Sequence, residues 1–261
     1  MNPIGVFDSG IGGLTVVKAL RDLLPHEEIF YIGDTARVPY GSKSPSTVER
    51  YSVEIARMLL AREAKMIVVA CNSASSVALP RLRETISVPV IGVIEPGAAA
   101  AAGATRNGRV GVIGTRATIK SGAYETALQR ENRELQIVAH ACPLLVPLIE
   151  EGWLHDDVTD RTVTRYLAPL TAAGIDTLVL GCTHYPLLRE TFARVLGPNV
   201  TLVDSAQNCA RAVAALLGRE RIASIAKGGL KVALTDKPDA FLQIARDSLQ
   251  LELGEIEILP L

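Results

Sequence analysis

MIVVACNSAS (residues 66–75) decides the fold: an apolar run of strand length ends at Cys71 and passes at once to Asn72 and Ser73. The pattern recurs in TLVLGCTHYP (177–186), where a second apolar run ends at Cys182 and is followed by Thr183 and His184. A reactive side chain between a strand and a helix is where open α/β proteins place their chemistry, outside the carboxyl ends of the strands. Further strand-like runs fall at 4–7, 29–32, 88–93, 110–113, 135–138 and 201–203, and helical spacing occupies 14–24, 46–62 and 121–130. Ser205 is a candidate cap for a helix reaching Leu217, and a strand–helix–strand tail is expected over 230–234, 238–249 and 256–259. Alternating strands and helices predict an α/β fold of mainly parallel sheets covered by helices.

The interval from Asp8 to Cys71 is close to that from Thr115 to Cys182, and IGVFDSG and VGVIGTRAT open the two halves alike. Two similar domains facing each other would bring both strand-end cysteines to one cleft. The break at Glu95–Pro96–Gly97 and the alanine-rich stretch after it mark the expected crossing. We therefore expect a first domain over 1–94 plus 206–261 and a second over 95–205.

Composition narrows the function classes. In 261 residues, 27 Lys and Arg face 28 Asp and Glu, a net charge of −1 that suggests neither nucleic acid nor an anionic membrane as a partner. No apolar stretch reaches the roughly 18 residues of a membrane span. MNPIGVFDSG has no basic n-region, so no signal peptide is expected. Four cysteines (71, 142, 182 and 209) without CxxC spacing describe neither a disulfide framework nor a zinc site, and free thiols point to a reducing cytoplasm.

FDSGIGGLTV (7–16), PYGSKS (39–44), ACNSAS (70–75), GVIGTRATIKSG (111–122), VPLIEEG (146–152) and GCTHYPLL (181–188) resemble, in order and spacing, the signature segments of the glutamate racemases, of the aspartate/glutamate racemase family. The resemblance covers essentially the whole chain. It implies two α/β domains related by a pseudo-twofold axis, a substrate site between them, and a homodimer. It also implies cofactor-independent interconversion of L- and D-glutamate, the D-isomer serving peptidoglycan synthesis. Ser73 departs from the family's usual threonine, keeping the hydroxyl and losing a methyl.

By that resemblance Cys71 takes the α-proton of D-glutamate and Cys182 that of L-glutamate, with Asp8 assisting Cys71 and His184 assisting Cys182. Glu150 matches an acidic residue on the second-cysteine side, with Glu151 as the alternative register. The chemistry agrees: inversion removes a proton from one face of a carbon and returns one to the other, which two opposed acid/base groups accomplish directly. A free thiol has a pKa of about 8.5, and a helix N-terminus, expected after each cysteine, favours the thiolate. Cys142 and Cys209 lack the context and read as small buried hydrophobes. Asn72, Ser73 and Thr183 are expected to hold the substrate beside the reacting carbon. Ser9, Pro39, Tyr40, Gly41, Thr115 and Thr118 match further substrate-lining positions, with Asp8 and His184 contributing to both roles. Thr115 and Thr118 read equally as helix caps.

Other readings are weaker. DSGIGG follows a strand and Asp34 lies at a distance suited to a ribose, but Gly10, Gly12 and Gly13 do not form GxGxxG, and Asp8 would repel a pyrophosphate. Cys182 and His184 lack a second ligand pair for a metal. A non-catalytic amino-acid-binding protein leaves the cysteine symmetry unexplained. Aspartate racemases typically carry glutamate where this chain has His184 and lack the PYG segment, which favours glutamate.

Overall fold

The computed structural model describes residues 2–224, 228–236 and 244–260. Among these, two sheets form, and every strand pairing is parallel. The first sheet contains β1 (Ile4–Asp8), β2 (Ile29–Gly33), β3 (Met66–Val69), β4 (Val90–Gly92), β9 (Leu230–Leu234) and β10 (Ile256–Ile258), in the order β10-β9-β2-β1-β3-β4. The second contains β5 (Arg109–Gly114), β6 (Gln136–Ala141), β7 (Thr177–Gly181) and β8 (Thr201–Asp204), in the order β6-β5-β7-β8. The central strands are buried along their length and largely apolar, because both faces are covered. In β3, Met66 and Val68 join a cluster that also takes Val112 and Val179 of the second sheet, whereas Ile67 and Val69 point into a separate cluster. The first cluster therefore runs continuously from one sheet to the other.

Local chemistry sets the helix boundaries. Ser44 caps α2 (Pro45–Leu60), accepting from the Thr47 N–H at 3.3 Å, with Pro45 at a first-turn position that needs no donor. The helix expected at 121–130 is preceded by a separate short helix: α5 (Arg116–Lys120) and α6 (Ala123–Glu131) are divided at Gly122, whose φ of +66° favours glycine.

Several expectations need correction. The break expected at Glu95–Pro96–Gly97 is helical: these residues form the first turn of α4 (Ile94–Ala104), where proline is tolerated because the N–H groups there lack helical partners. That helix carries the chain from β4 of the first sheet to β5 of the second. Asp204, not Ser205, caps α10 (Ser205–Glu220): its carboxylate accepts from the Ala206 N–H at 2.7 Å. The helix expected at 238–249 lies partly outside the described residues, and its described portion, Ile244–Ser248, is a π-helical turn. No helix among the described residues is long and apolar enough to cross a membrane. α10 packs against both α1 (Leu14–Leu23) and α4, tying the two sheets together behind the strand ends.

Candidate active site

β1 ends at Asp8, which is fully buried. The turn that follows folds over its carboxylate, with Gly10 and Gly13 N–H groups donating to Oδ2 at 3.1 and 3.0 Å. A Cβ on Gly13 would fall 2.4 Å from the Asp8 Cβ, so this turn requires glycine. Asp8 Oδ1 is buried with no hydrogen-bond partner.

Cys71, between β3 and α3 (Asn72–Thr85), is the N-cap of that helix. The Ala74 N–H donates to its sulfur at 3.5 Å, and its thiol donates to Ser9 Oγ at 3.6 Å. The helix terminus favours a thiolate here, as expected, but it does not prevail. Burial, reinforced by the Asp8 carboxylate, pushes the Cys71 thiol up to about 12, outweighing the Ala74 and Ser9 hydrogen bonds. Cys71 rests protonated.

Cys182 follows β7, but no α-helix begins beside it. A 3-10 turn, Tyr185–Leu188, intervenes before α9 (Arg189–Leu196), so the expected helix N-terminus is absent at this sulfur. Its charged neighbour is instead a side chain: His184 Nδ1 lies 3.8 Å from Cys182 Sγ, and His184 Nε2 lies 3.1 Å from Glu150 Oε1, on α7 (Leu145–Glu150). Burial opposes charge on this imidazole. The hydrogen bonds and charges of Cys182 and Glu150 prevail and raise His184 to about 10. One sulfur thus lies near a carboxylate and the other beside an imidazolium.

Both cysteines open on one cavity of about 220 Å³, with Ser9, Pro39, Tyr40, Gly41, Asn72, Ser73, Thr115, Glu150, Thr183 and His184 also in its wall. That is below the roughly 300–1,000 Å³ of drug-sized ligand sites, and it suits a small metabolite rather than a dinucleotide. Asp8 and Thr118 do not reach the cavity. Asp8 lies under the first turn, and Thr118 stands behind Thr115 and Ser73, 3.0 and 3.4 Å from their hydroxyls. Ser73 and Thr115 meet at 2.9 Å, and Thr115 also caps α5, so its two readings coexist. Cys142 and Cys209 are buried away from the cavity wall. A larger open depression of about 750 Å³ beside α1 and α10 contains neither cysteine.

Close approach of the two halves depends on glycine. A Cβ on Gly41 would come within 2.8 Å of the Thr115 Cβ, and one on Gly12 within 2.2 Å of Thr183 Oγ1 and 2.5 Å of His184 Nδ1. Thr15 Oγ1 bridges the contact, its hydroxyl lying 2.8 Å from the Gly12 carbonyl and 3.1 Å from the Thr183 carbonyl.

Among wall residues, Arg116, Pro143, Val146 and Pro147 were not anticipated. Arg116 had a signal, its place beside Thr115; the others are apolar and carry none. Asp34, weighed above only as a ribose ligand, instead anchors the site from behind. It is fully buried and accepts from Tyr40 Oη, from Arg37 Nε at 2.7 Å and from Thr235 Oγ1 at 2.9 Å.

Residues 14–213 match the family model described as Asp/Glu/Hydantoin racemase. The chain belongs to the aspartate/glutamate/hydantoin racemase family. Within it, a glutamate racemase from Geobacter metallireducens is 52% identical over 97% of this chain and 94% of its own length. A crystal structure of a glutamate racemase isoform from Bacillus anthracis superposes with a TM-score of 0.96 at 39% identity, covering 100% of this chain and 98% of that one. A glutamate racemase from Francisella tularensis, crystallised with D-glutamate, gives 0.93 at 36% identity over 99% and 97% of the two chains. The two-sheet α/β architecture is therefore that of this racemase family.

Proposed function

We propose that this protein interconverts L- and D-glutamate without a cofactor, using Cys71 and Cys182 as the two acid/base groups. The observation that carries the reading is the unlike pair of partners: two sulfurs opening on one small polar cavity, one held protonated by burial and Asp8, the other beside the His184 imidazolium. With L-glutamate bound, the Cys182 thiolate removes the α-proton and the C–H electron pair passes into the carboxylate as an enediolate. The Cys71 thiol then delivers its proton to the opposite face, giving D-glutamate. The cysteines finish with exchanged protonation states, and proton exchange with solvent resets them. From D-glutamate the roles reverse.

Substrate charge is met by short polar groups and backbone. Asn72, Ser73, Thr115 and Thr183 supply donors and acceptors around the reacting carbon, and the N-terminal N–H groups of α3 favour a carboxylate. Tyr40 and Gly41 cover the opposite end. Asp8 and Thr118 act from behind the wall, by holding Cys71 protonated and by orienting the Ser73 and Thr115 hydroxyls. In this reading the two sheets define domains 1–94 plus 206–261 and 95–205. The enzyme works as a cytoplasmic homodimer, supplying D-glutamate for peptidoglycan.

The deciding experiment incubates purified, metal-free protein with D-glutamate in D2O. Loss of optical rotation together with incorporation of one deuterium at the α-carbon is expected. Racemisation that depends on added pyridoxal phosphate or metal, or none at all, overturns the reading; a parallel run with aspartate should turn over far more slowly.

A further inference from the structure

Tyr124, on α6, is fully buried and belongs to the second sheet's helices, yet its hydroxyl donates to Asn72 Oδ1, beside Cys71, at 2.7 Å. Its ring is seated by glycines: a Cβ on Gly181, the residue before Cys182, would lie 3.0 Å from Tyr124 Cε2, and one on Gly97 would lie 3.5 Å from the hydroxyl oxygen. One side chain therefore touches the residue following the first cysteine and the residue preceding the second.

Asn72 lines the cavity, and its Nδ2 is buried with no hydrogen-bond partner. A side-chain amide can occupy a site in either of two orientations that differ only in exchanging O and N, and its partners choose between them. Burial keeps the Tyr124 phenol protonated, so its hydroxyl is a donor to Asn72. The phenol's proton goes to Asn72 Oδ1, and the NH2 is turned away from Tyr124. A buried amide donor left unpaired by the protein calls for a partner, and in a residue of the cavity wall a bound ligand is one that can supply it.

We propose that Tyr124 is a positioning residue for the racemisation described above: it locks the Asn72 amide with its NH2 presented to a substrate carboxylate. The inference rests on the glutamate racemase reading for its substrate, but the lock itself is a property of the protein. Without the hydroxyl, the amide can turn and offer its oxygen to the carboxylate, an acceptor facing an acceptor.

The test is a double-mutant cycle with Tyr124→Phe, which removes one oxygen and keeps the ring, and Asn72→Ala. Tyr124→Phe is expected to raise KM for both enantiomers about ten-fold, with kcat changed less than about two-fold. The fall in kcat/KM must be equal in both directions, because the equilibrium constant for racemisation is one. In the Asn72→Ala background, Tyr124→Phe should add almost nothing to KM; effects that simply add would assign Tyr124 a structural role and overturn the proposal. Unchanged KM in an active Tyr124→Phe enzyme also overturns it, whereas inactivity of the wild type on glutamate instead sinks the functional reading. A readout independent of activity and of any variant's folding is the 15N side-chain amide of Asn72 in the wild type. The amide protons are expected to show no NOE to the Tyr124 ring, because Oδ1 faces the hydroxyl, and strong NOEs to that ring contradict the lock.

Discussion

Glu150 Oε1 accepts from His184 Nε2 at 3.1 Å while the other ring nitrogen faces Cys182 at 3.8 Å, so a carboxylate on α7 adds to the sulfur's own support of a charge at the end of β7. The imidazolium persists below its raised pKa of about 10. Because a folded-state pKa above the ordinary 6.5 means that folding favours the protonated form, His184's contribution to stability is complete below about 6.5 and is lost as pH rises through about 10. Glu150→Gln withdraws the charge that supports protonation. The alkaline fall of kcat should then begin at lower pH than in the wild type, as read from a pH–rate profile. An unmoved alkaline limb would separate Glu150 from the catalytic charge.

The cysteines divide the chemistry by face. Cys71→Ala and Cys182→Ala should each abolish net racemisation in both directions, since inversion needs both proton transfers. Residual α-proton exchange in D2O should favour D-glutamate when Cys182 is removed and L-glutamate when Cys71 is removed. Cys142→Ala and Cys209→Ala should keep turnover and lose about 1–2 kcal/mol of stability, the usual scale for trimming a buried side chain. NMR detection of deuterium at the α-carbon distinguishes these cases, and near wild-type racemisation by either alanine variant at 71 or 182 would refute the two-thiol mechanism.

Gly12 is a seat for the second half of the site. A methyl there meets Thr183 Oγ1 at 2.2 Å and His184 Nδ1 at 2.5 Å, so Gly12→Ala must push the His184 side of the cavity away. A displacement on the order of 1 Å at a catalytic group costs about 10²-fold in rate. We expect that loss in kcat, with the exchange of D-glutamate protons at Cys71 better preserved than that of L-glutamate protons at Cys182. Equal loss on both faces would mean that the whole turn has collapsed.

Asp34 joins Tyr40, Arg37 and Thr235 behind the substrate wall. Asp34→Asn keeps the shape and removes the charge, leaving Arg37, a largely buried side chain at 14% exposure, with Glu54 as its remaining acidic partner. Breaking one side of such a pair costs about 3 kcal/mol, measurable as a lower denaturation midpoint. KM should rise as well, because Tyr40 loses its anchor. Full stability with unchanged KM would show that Asp34 is dispensable.

The linear chain already determined much of this architecture. Apolar runs of strand length ending in cysteine placed Cys71 and Cys182 at strand ends, since a buried parallel strand is apolar on both faces and exposes chemistry only where it stops. The short polar residues beside them were legible for the same reason, and most of them line the cavity. Only the tertiary structure decided how the site is biased. The unlike partners Asp8 and His184 were expected from the sequence, but a helix N-terminus was expected after both cysteines; in the fold only Cys71 caps an α-helix, where burial and Asp8 hold it protonated, while Cys182 precedes a 3-10 turn and faces His184. Asp8 and Thr118 proved to lie behind the wall, and Tyr124 and Asp34 gave no local sign of their roles. Their decisive partners are remote in sequence: Tyr124 reaches Asn72 across 52 positions, and Asp34 meets Thr235 across 201. Periodicity reports which face of an element is apolar, but desolvation and hydrogen bonding depend on which distant atoms pack against that face, and the folded chain alone sets those distances.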